Sequence, residues 1–383
     1  MYKNFQEVVS FATQFRHKLH QNPELPWQEF ETAQMIREVL DTHNIKYKAV
    51  AKTGTVATLA AEKKGEHIAL RADIDALPMQ EKTDLPYASK KPKCMHACGH
   101  DGHAATLIAV AIWLKMHEST LSNPVSFIFQ PAEEGGHGAK AMIEAGCLKG
   151  VDRIYGWHNW PAIKFGQALC PDGIVMAGNG TFSIDITGVG GHSSQPEVCK
   201  DPILAASAIT LNLQQIVSRK VAPQKIAVVS VTSIDAPSGL TTIPNSAKLH
   251  GSIRISDNRL RDEIAQAIDQ IAKDTAAAYG VSVDVSFQNR YSATINDPKS
   301  AHHVRQLLRK HWGEDFQSDH ISPVMASEDF SYYLEKIDGA FMLIGSDDGV
   351  NTPCHNVLYD FNDNLIQPVA KLLIDLANSK SSI

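Results

Sequence analysis

The chain has 383 residues, of which 43% are hydrophobic and 20% charged, and its formal net charge is -6. This length and composition predict a soluble protein of two domains, and the net negative charge gives no reason to expect nucleic acid as a partner. No apolar run reaches the roughly 18–20 residues of a membrane span, and the first residues lack the hydrophobic segment of a secretory signal. The six cysteines show no framework spacing, so we expect a cytoplasmic protein with reduced thiols.

Helices and strands alternate along the first half of the chain. Helical periodicity predicts helices over residues 5–25 and 28–43. The next predicted elements are strands over residues 47–50, 55–61 and 67–72, an alanine-rich helix over 102–117, a strand over 125–130, a helix over 139–145 and a strand over 153–158. Because these strands interleave with helices and lack polar alternation, they predict an α/β fold with a mostly parallel sheet.

A different pattern begins near residue 179. It consists of a strand (181–187), a helix (202–217), two strands (225–234 and 247–255), a helix (259–279) and a strand (281–290). This is the βαββαβ order of ferredoxin-like domains. The earlier alternation resumes with a helix over 300–312, a strand over 339–344 and a helix over 364–378. We therefore predict an inserted domain of residues 179–293 within a catalytic domain formed by residues 1–178 and 294–383.

Side chains able to bind metals are concentrated just before the predicted helix 102–117. Cys98 and His100 are separated by one residue, and the acidic pair Glu133 and Glu134 follows the predicted strand 125–130. Thiolate, imidazole and carboxylate groups bind borderline transition metals. A further carboxylate beside such a metal can serve as a general base. The pattern predicts metal-assisted hydrolysis.

Each of these residues also has a simpler interpretation. A single cysteine or histidine is more often a packing residue than a ligand, and adjacent glutamates usually belong to a solvated turn. A nucleophilic Cys98 activated by a histidine is the competing catalytic hypothesis. We rank it lower because a thiol nucleophile does not need the nearby acidic pair.

Two carboxylates and a histidine lie at the ends of neighbouring predicted strands. Asp73 and Asp75 follow the strand 67–72, at the position where open α/β sheets bind ligands. A turn capped by aspartates would give the same pattern. His158 ends the strand 153–158, and its simpler interpretation is a buried histidine that is hydrogen-bonded to the backbone.

Two more histidines occur in predicted loops. His192 lies in the glycine-rich segment 190–196 of the inserted domain, where it could donate a hydrogen bond to an oxyanion. Taken alone, this segment is only a polar loop. His355 lies in the last loop before the C-terminal helix and could supply a final metal ligand.

Together the motifs resemble the amidohydrolase branch of the dinuclear-metal aminoacylase and carboxypeptidase superfamily. This branch includes hippurate hydrolases, N-acyl-amino-acid deacylases, N-acetyl-diaminopimelate deacetylases and plant auxin-conjugate hydrolases. The resemblance spans the whole chain and rests on residues 19–25, 70–78, 95–100, 129–135 and 327–330 and on His355. It implies a metallopeptidase-like catalytic domain whose inserted ferredoxin-like domain serves in dimerisation and as a lid.

The resemblance also implies a set of site residues. The metal ligands would be Cys98, His100, Glu134, His158 and His355. They would hold two divalent ions, for which Zn, Mn, Co or Ni suits this donor set. Glu133 would be the general base, and Asp75 would orient a ligand histidine. The remaining polar residues of the cluster, His96, Asp101 and His103, are assigned supporting or structural roles.

The inserted domain would contribute to the site as well. Members of the family pair through this domain, so the resemblance implies a homodimer in which His192 reaches the partner subunit's site and stabilises the oxyanion. Asn245 and Arg254 would face the substrate. The chain departs from the family pattern at Glu197, where many members have a histidine, and at Cys94 and Cys354, where we expect no thiol. The two cysteines either lie near the metals or are inert small residues, and we favour the second interpretation.

The implied reaction is hydrolysis of the amide bond of an N-acyl amino acid, of the N-acetyl or N-benzoyl type. A metal-activated water would attack, and a carboxylate and a free amino acid would be released. Two alternatives stay open: a non-catalytic binder of N-acyl amino acids or peptides, and a dipeptidase of the same superfamily. The identity of the acyl group and of the amino acid depends on the shape of the pocket.

Overall fold

The computed structural model describes residues 2–350 and 352–378, which form two compact units. The first unit comprises the chain up to Val175, residues 294–322 and the chain from Asp329 onward. The second unit comprises Met176–Ala293 and Pro323–Glu328. It therefore begins three residues before the predicted boundary and takes in a short segment that the sequence placed in the other domain. Among the described residues, no helix is long and apolar enough to cross a membrane.

The helices and strands of the described residues are numbered in chain order. The α-helices are α1 (Phe5–Gln21), α2 (Phe30–Thr42), α3 (His100–Met116), α4 (Gly138–Glu144), α5 (Pro202–Leu213), α6 (Arg259–Ala278), α7 (Pro298–Trp312), α8 (Ser331–Leu334) and α9 (Ile366–Asn378). The strands are β1 (Tyr47–Val50), β2 (Gly54–Leu59), β3 (Ile68–Asp73), β4 (Val125–Gln130), β5 (Arg153–Lys164), β6 (Ala168–Leu169), β7 (Gly173–Met176), β8 (Gly178–Thr187), β9 (Gly191–His192), β10 (Ala227–Asp235), β11 (Thr242–Ile243), β12 (Ser246–Ile255), β13 (Ser282–Asn289), β14 (Thr294–Asn296) and β15 (Asp338–Asp347).

A seven-stranded sheet organises the first unit. Its strand order is β1-β2-β4-β3-β5-β15-β6. The four central strands, β4, β3, β5 and β15, are parallel to one another, whereas β1 and β2 at one edge and β6 at the other are antiparallel to their neighbours. The predicted α/β class is confirmed. Four parallel strands form the centre of the sheet, as predicted, and antiparallel strands form its two edges.

Helix α3 is buried on nearly every side and packs against α1, α9 and β3. Its alanine-rich sequence lets these neighbours approach closely, because small side chains leave room for them. Gly99 precedes the helix with φ 95°, a left-handed conformation. A Cβ atom at this position would lie 2.3 Å from the Asn159 side-chain oxygen, so only glycine fits the turn between Cys98 and His100.

The second unit is a four-stranded antiparallel sheet with two helices. The elements follow one another as β8-α5-β10-β12-α6-β13, and the strand order in the sheet is β10-β12-β8-β13. Apolar side chains from the sheet and from α5 and α6 form a core of their own, which includes Ile184, Ile209, Leu249 and Ile268. A separate two-stranded ribbon pairs β9 with β11.

Two element boundaries differ from the prediction at functional residues. Helix α3 begins at His100 rather than at residue 102, so His100 lies in the first helical turn. Strand β5 continues to Lys164 rather than ending at His158, because β15 pairs with it along its length. The unpredicted strands β6, β7, β9, β11 and β14 have two to four residues each, too few to show a periodic pattern.

Candidate metal centre

The site forms where parallel strands of the first unit end. Strand β3 ends at Asp73 and β4 ends at Gln130, and these two residues are register partners. Asp75 therefore follows one strand, and Glu133 and Glu134 follow the other, at the same edge of the sheet. Gly99 turns the chain into α3 close to this edge, and the neighbouring strand β5 carries His158.

The metal-competent side chains form overlapping clusters. In each of three sets the potential ligand atoms lie within 4.8 Å of one another, and these sets are Cys98, His100 and His158; Cys98, Glu134 and His355; and His100, Glu133 and Glu134. The structure thus brings all five predicted ligands together with the predicted base. Cys98, His100 and His158 are buried, whereas the His355 side chain is 52% exposed and lies on the solvent side.

The ring of His100 is held by Asp75. The Nδ1 atom of His100 lies 3.0 Å from the Asp75 carbonyl oxygen and 3.3 Å from its Oδ1 atom. The Nε2 atom is buried, makes no hydrogen bond with any residue that the structure describes, and lies 3.6 Å from the Asp73 carboxylate. When the ring is neutral with its proton on Nδ1, the lone pair of Nε2 can bind a metal ion.

The carboxylate of Asp75 also positions the acidic loop. Its Oδ2 atom accepts a hydrogen bond of 2.9 Å from the backbone N–H of Glu134. The Glu134 side chain in turn lies 3.1 Å from His355, measured from Oε1 to Nε2. Glu133, whose side chain is also buried, accepts a hydrogen bond of 3.3 Å at Oε1 from the backbone N–H of Asp329. The two glutamates thus have different partners, as different roles would require.

His158 presents one nitrogen to the cluster. Its Nδ1 atom donates to the Asn159 carbonyl oxygen at 2.6 Å, and its Nε2 atom lies 3.3 Å from the Cys98 sulphur. Burial, reinforced by the neighbouring His103, holds the pKa of His158 well below its usual value. The ring is therefore neutral, which is the form that binds a metal.

The buried carboxylates and histidines of the centre change each other's pKa values. Burial alone would lower the pKa of His100, but Asp73 and Asp75 outweigh burial and raise it to about 10. Burial likewise opposes ionisation of Asp73, yet His100 and Arg71 lower its pKa well below the usual range. The same carboxylates that retain a proton on His100 would favour a divalent cation in its place.

A buried network behind the centre was not predicted. Arg71 donates to Asp73 at 2.7 Å, to Gln130 at 2.8 Å and to Asp329 at 3.0 Å. His103 bridges Asp73 and Asn159 at 2.6 and 2.7 Å. A sequence signal existed for His103, which lies one helical turn after His100 on α3. The partnership of Arg71 with Asp329 has no such signal, because 258 residues separate them.

The residues present fit divalent ions. The centre offers a thiol, a neutral imidazole, the Nε2 atom of His100, which makes no hydrogen bond with any described residue, and carboxylates in overlapping clusters. Such a mixed donor set suits zinc and its first-row neighbours better than magnesium or calcium, which prefer oxygen ligands alone.

The three predicted residues of the inserted domain lie in the second unit. His192 is exposed in the β9–β11 ribbon, and its Nδ1 atom accepts hydrogen bonds from the Ser194 hydroxyl at 2.7 Å and the Ser194 backbone N–H at 3.2 Å. Its Nε2 atom therefore carries the proton. Asn245 accepts a 2.9 Å hydrogen bond from the backbone N–H of Gly190, and Arg254 donates to Ser327 at 2.7 Å.

An α/β unit that brings a thiol, imidazoles and carboxylates to the ends of its parallel strands defines a metallohydrolase type of site. The chain belongs to Peptidase family M20/M25/M40, whose sequence model matches residues 69–379. The family resemblance predicted from the motifs is thereby confirmed, and so is the prediction of an enzyme.

Curated relatives and a solved structure share nearly the whole chain. The hippurate hydrolase of Campylobacter jejuni is 37% identical over 377 residues, which cover 97% of each protein. The N-acetyl-L-cysteine deacetylase of Bacillus subtilis is 40% identical over 333 residues, covering 87% of this chain and 79% of that protein. The crystal structure of a dinuclear metal-binding M20 peptidase from Bacillus subtilis aligns with a TM-score of 0.83 and 33% identity, covering 97% and 99% of the two chains.

Proposed function

We propose that the protein is a metal-dependent amidohydrolase of N-acyl amino acids, of the N-acetyl or N-benzoyl type. The names of its relatives, hippurate hydrolase and N-acetyl-L-cysteine deacetylase, confirm the predicted class of amide hydrolase. The observation that carries the proposal is the pairing of Glu133 and Glu134 beside Cys98 and His100. One carboxylate can hold a metal while its neighbour moves protons.

Two divalent ions, drawn from Zn, Mn, Co and Ni, are the proposed cofactors. We assign Cys98, His100, Glu134, His158 and His355 as the side chains that would hold them. When bound, the ions supply Lewis-acid chemistry, since they activate water and polarise the amide carbonyl. In support, the ligand atoms are oriented by the protein itself, through Asp75 for His100 and through the Asn159 carbonyl for His158.

Glu133 is the proposed general base. Its side chain is 7% exposed and shares a cluster with His100 and Glu134, so it borders the centre without being open to bulk water. Its carboxylate would take a proton from the attacking water and return that proton to the leaving amine. The hydrogen bond from the Asp329 backbone N–H to Oε1 helps to orient the Glu133 carboxylate beside the centre.

His192 is the proposed oxyanion donor, supplied by a second subunit in a homodimer. Its Nδ1 atom accepts from Ser194, so the protonated Nε2 atom is the free donor that such a role needs. Asn245 binds the backbone of Gly190 and so steadies the glycine-rich segment that carries His192. Asn245 and Arg254 are proposed to contact the substrate, and the cytoplasmic location stays a prediction.

The test combines metal analysis with a substrate panel. Purified protein is stripped with a chelator, reloaded separately with Zn, Mn, Co or Ni, and assayed on acetyl- and benzoyl-amino acids and on dipeptides. We expect about two ions per chain and activity that is lost on stripping and returns on reloading. Binding of N-acyl amino acids without turnover would favour the non-catalytic alternative. Turnover of dipeptides alone would favour the dipeptidase, and activity that survives stripping would favour a Cys98 nucleophile.

A further inference from the structure

A second thiol lies directly beside the candidate ligand Cys98. The Cys354 thiol donates to the Cys98 carbonyl oxygen, with the sulphur 3.8 Å from that oxygen. The side-chain amide of Asn159 lies 3.7 Å from the same sulphur. Cys354 belongs to none of the clusters of potential ligand atoms among the described residues, so it is a neighbour of the candidate ligand Cys98 and not itself a candidate ligand.

The backbone holds the two cysteine segments side by side. The N–H of His355 donates to the Ala97 carbonyl oxygen at 2.7 Å, which joins the residue after Cys354 to the residue before Cys98. A disulfide needs Cα atoms about 4.4–6.8 Å apart, the spacing of residues on adjacent hydrogen-bonded segments. The hydrogen bond thus keeps the two cysteine segments next to each other, as a disulfide between them requires.

Access to the pair is unequal. Cys98 is buried, whereas Cys354 is partly exposed and adjoins the exposed residue His355. Cys354 is the more exposed residue of the two, so we assign it to react with the oxidant, and Cys98 is the neighbouring thiol that can resolve the oxidised sulphur. Neither cysteine is in a disulfide, and the other four are free as well.

We propose that Cys98 and Cys354 form a reversible disulfide that withdraws the Cys98 sulphur from the metal centre. Hydrogen peroxide is the oxidant: it converts the Cys354 thiol to a sulfenic acid and releases one water. The Cys98 thiol then attacks the Cys354 sulphur, the S–S bond forms, and the sulfenic oxygen leaves as a second water. The two thiols lose two protons and two electrons in total, and a dithiol reductant restores them.

The effect on the centre rests on the proposed role of Cys98 as a ligand, whereas the pairing of the two cysteines does not. A thiolate is the form of cysteine that binds a metal, and a disulfide sulphur cannot replace it. Bound metal should in turn protect Cys98, because the coordinated sulphur is not available to attack Cys354.

The pairing is tested by peptide mapping. Metal-free protein is treated with hydrogen peroxide, its remaining thiols are alkylated, and digested peptides are examined by mass spectrometry with and without dithiothreitol. We expect a peptide that links Cys98 to Cys354, its disappearance on reduction, and its absence in Cys354→Ser. Cys94→Ser, which removes another buried thiol, should still form the link. Oxidation of Cys98 to a sulfinic acid with the Cys354 thiol intact, or a link to another cysteine, would overturn the proposal.

The effect on the centre is tested by metal content. We expect oxidised wild-type protein to take up less than half of the metal that reduced protein binds, and oxidised Cys354→Ser to bind as much as its reduced form. If the link forms and metal uptake is unchanged, the disulfide does not withdraw Cys98 from the centre, and the assignment of Cys98 as a ligand is wrong. If no link forms but the metal centre loads normally, the disulfide is wrong and the proposed function stands.

Discussion

Asp75 fixes the ring of His100, because the Nδ1 atom of His100 lies 3.0 Å from the Asp75 carbonyl oxygen and 3.3 Å from its carboxylate. The other carboxylate oxygen of Asp75 accepts the backbone N–H of Glu134 at 2.9 Å. One side chain thus orients a proposed ligand on the helix and another on the acidic loop. Such partners of metal ligands set the ring orientation and the basicity of the ligand.

Asp75→Asn should weaken metal binding by about 10- to 100-fold, the usual cost of losing a partner of a metal ligand. The amide keeps the size of the side chain but removes the charge that holds His100. The measurement is a competition titration of metal-free protein against a chromophoric chelator. Asp185→Asn, at an exposed carboxylate that pairs with Lys248 in the second unit, is the matched control and should bind metal as wild type does. Equal affinities for the two variants would remove Asp75 from its orienting role.

Asp329→Ala should destabilise the first unit by about 3–5 kcal/mol, the cost of removing one partner from a buried ion pair. The Asp329 carboxylate accepts from Arg71 at 3.0 Å, from Gln130 at 2.9 Å and from the Ala139 backbone at 2.9 Å, away from solvent. Urea unfolding followed by tryptophan fluorescence measures the loss, since all five tryptophans lie in the first unit.

The control for Asp329 is an exposed ion pair. Glu314 contacts Arg309 at 2.8 Å, and both side chains are more than half exposed. Glu314→Ala should change the free energy of unfolding by less than about 1 kcal/mol, because water and salt screen such pairs. Similar losses for the two variants would mean that the Asp329 network does not stabilise the unit.

His20 should make stability depend on pH. Burial opposes its protonation, but Asp101 at 2.8 Å and Glu81 at 3.3 Å outweigh burial and raise the pKa of His20 to about 9. In the unfolded chain the pKa of histidine is about 6.5. A raised pKa stabilises the folded state fully below pH 6.5, and this contribution is lost as the pH rises through 9.

The matched comparison is wild type against His20→Gln at pH 6 and at pH 10. Wild type should exceed His20→Gln in free energy of unfolding, and this excess should be larger at pH 6 than at pH 10 by up to about 3 kcal/mol. That figure corresponds to the rise in the pKa of His20. Urea unfolding with tryptophan fluorescence again provides the measurement. A difference that is the same at both pH values, or larger at pH 10, would show that His20 is neutral in the folded protein.

The sequence predicted those parts of the centre that follow from local rules. Glu133 and Glu134 could be placed because an apolar strand ends just before them, and Cys98 and His100 because a helix begins there. The position of His158 within its strand was harder to predict. Strand β5 passes beyond it because β15 pairs along its length, and pairing between distant segments leaves no local pattern.

The contacts that the sequence did not predict join segments that are far apart along the chain. Arg71 and Asp329 are 258 residues apart, and Cys98 and Cys354 are 256 apart. Neither partnership produces a periodicity or a spacing that a single sequence reveals. The motifs favoured an inert role for Cys354, whereas the structure places its sulphur 3.8 Å from the carbonyl oxygen of the proposed ligand Cys98.

His192→Ala should lower turnover by about a hundred- to a thousand-fold, the usual cost of losing one oxyanion donor, without emptying the metal centre. If the histidine acts across a homodimer, mixing this variant with Glu133→Gln should restore some activity. Mixed dimers then contain one site with both residues intact. The measurement compares the activity of the mixture with that of each variant alone after subunit exchange. No recovery in dimers that have exchanged would argue against action between subunits.

Glu133 is proposed to move the proton while other residues hold the metal. The most direct test measures metal content and turnover of Glu133→Gln on the best N-acyl amino acid, beside Glu144→Gln at an exposed position on α4. We predict that both variants bind as much metal as wild type and that turnover falls by about a hundred- to ten-thousand-fold in Glu133→Gln alone. Near-normal turnover in Glu133→Gln, or loss of its metal, would contradict the account.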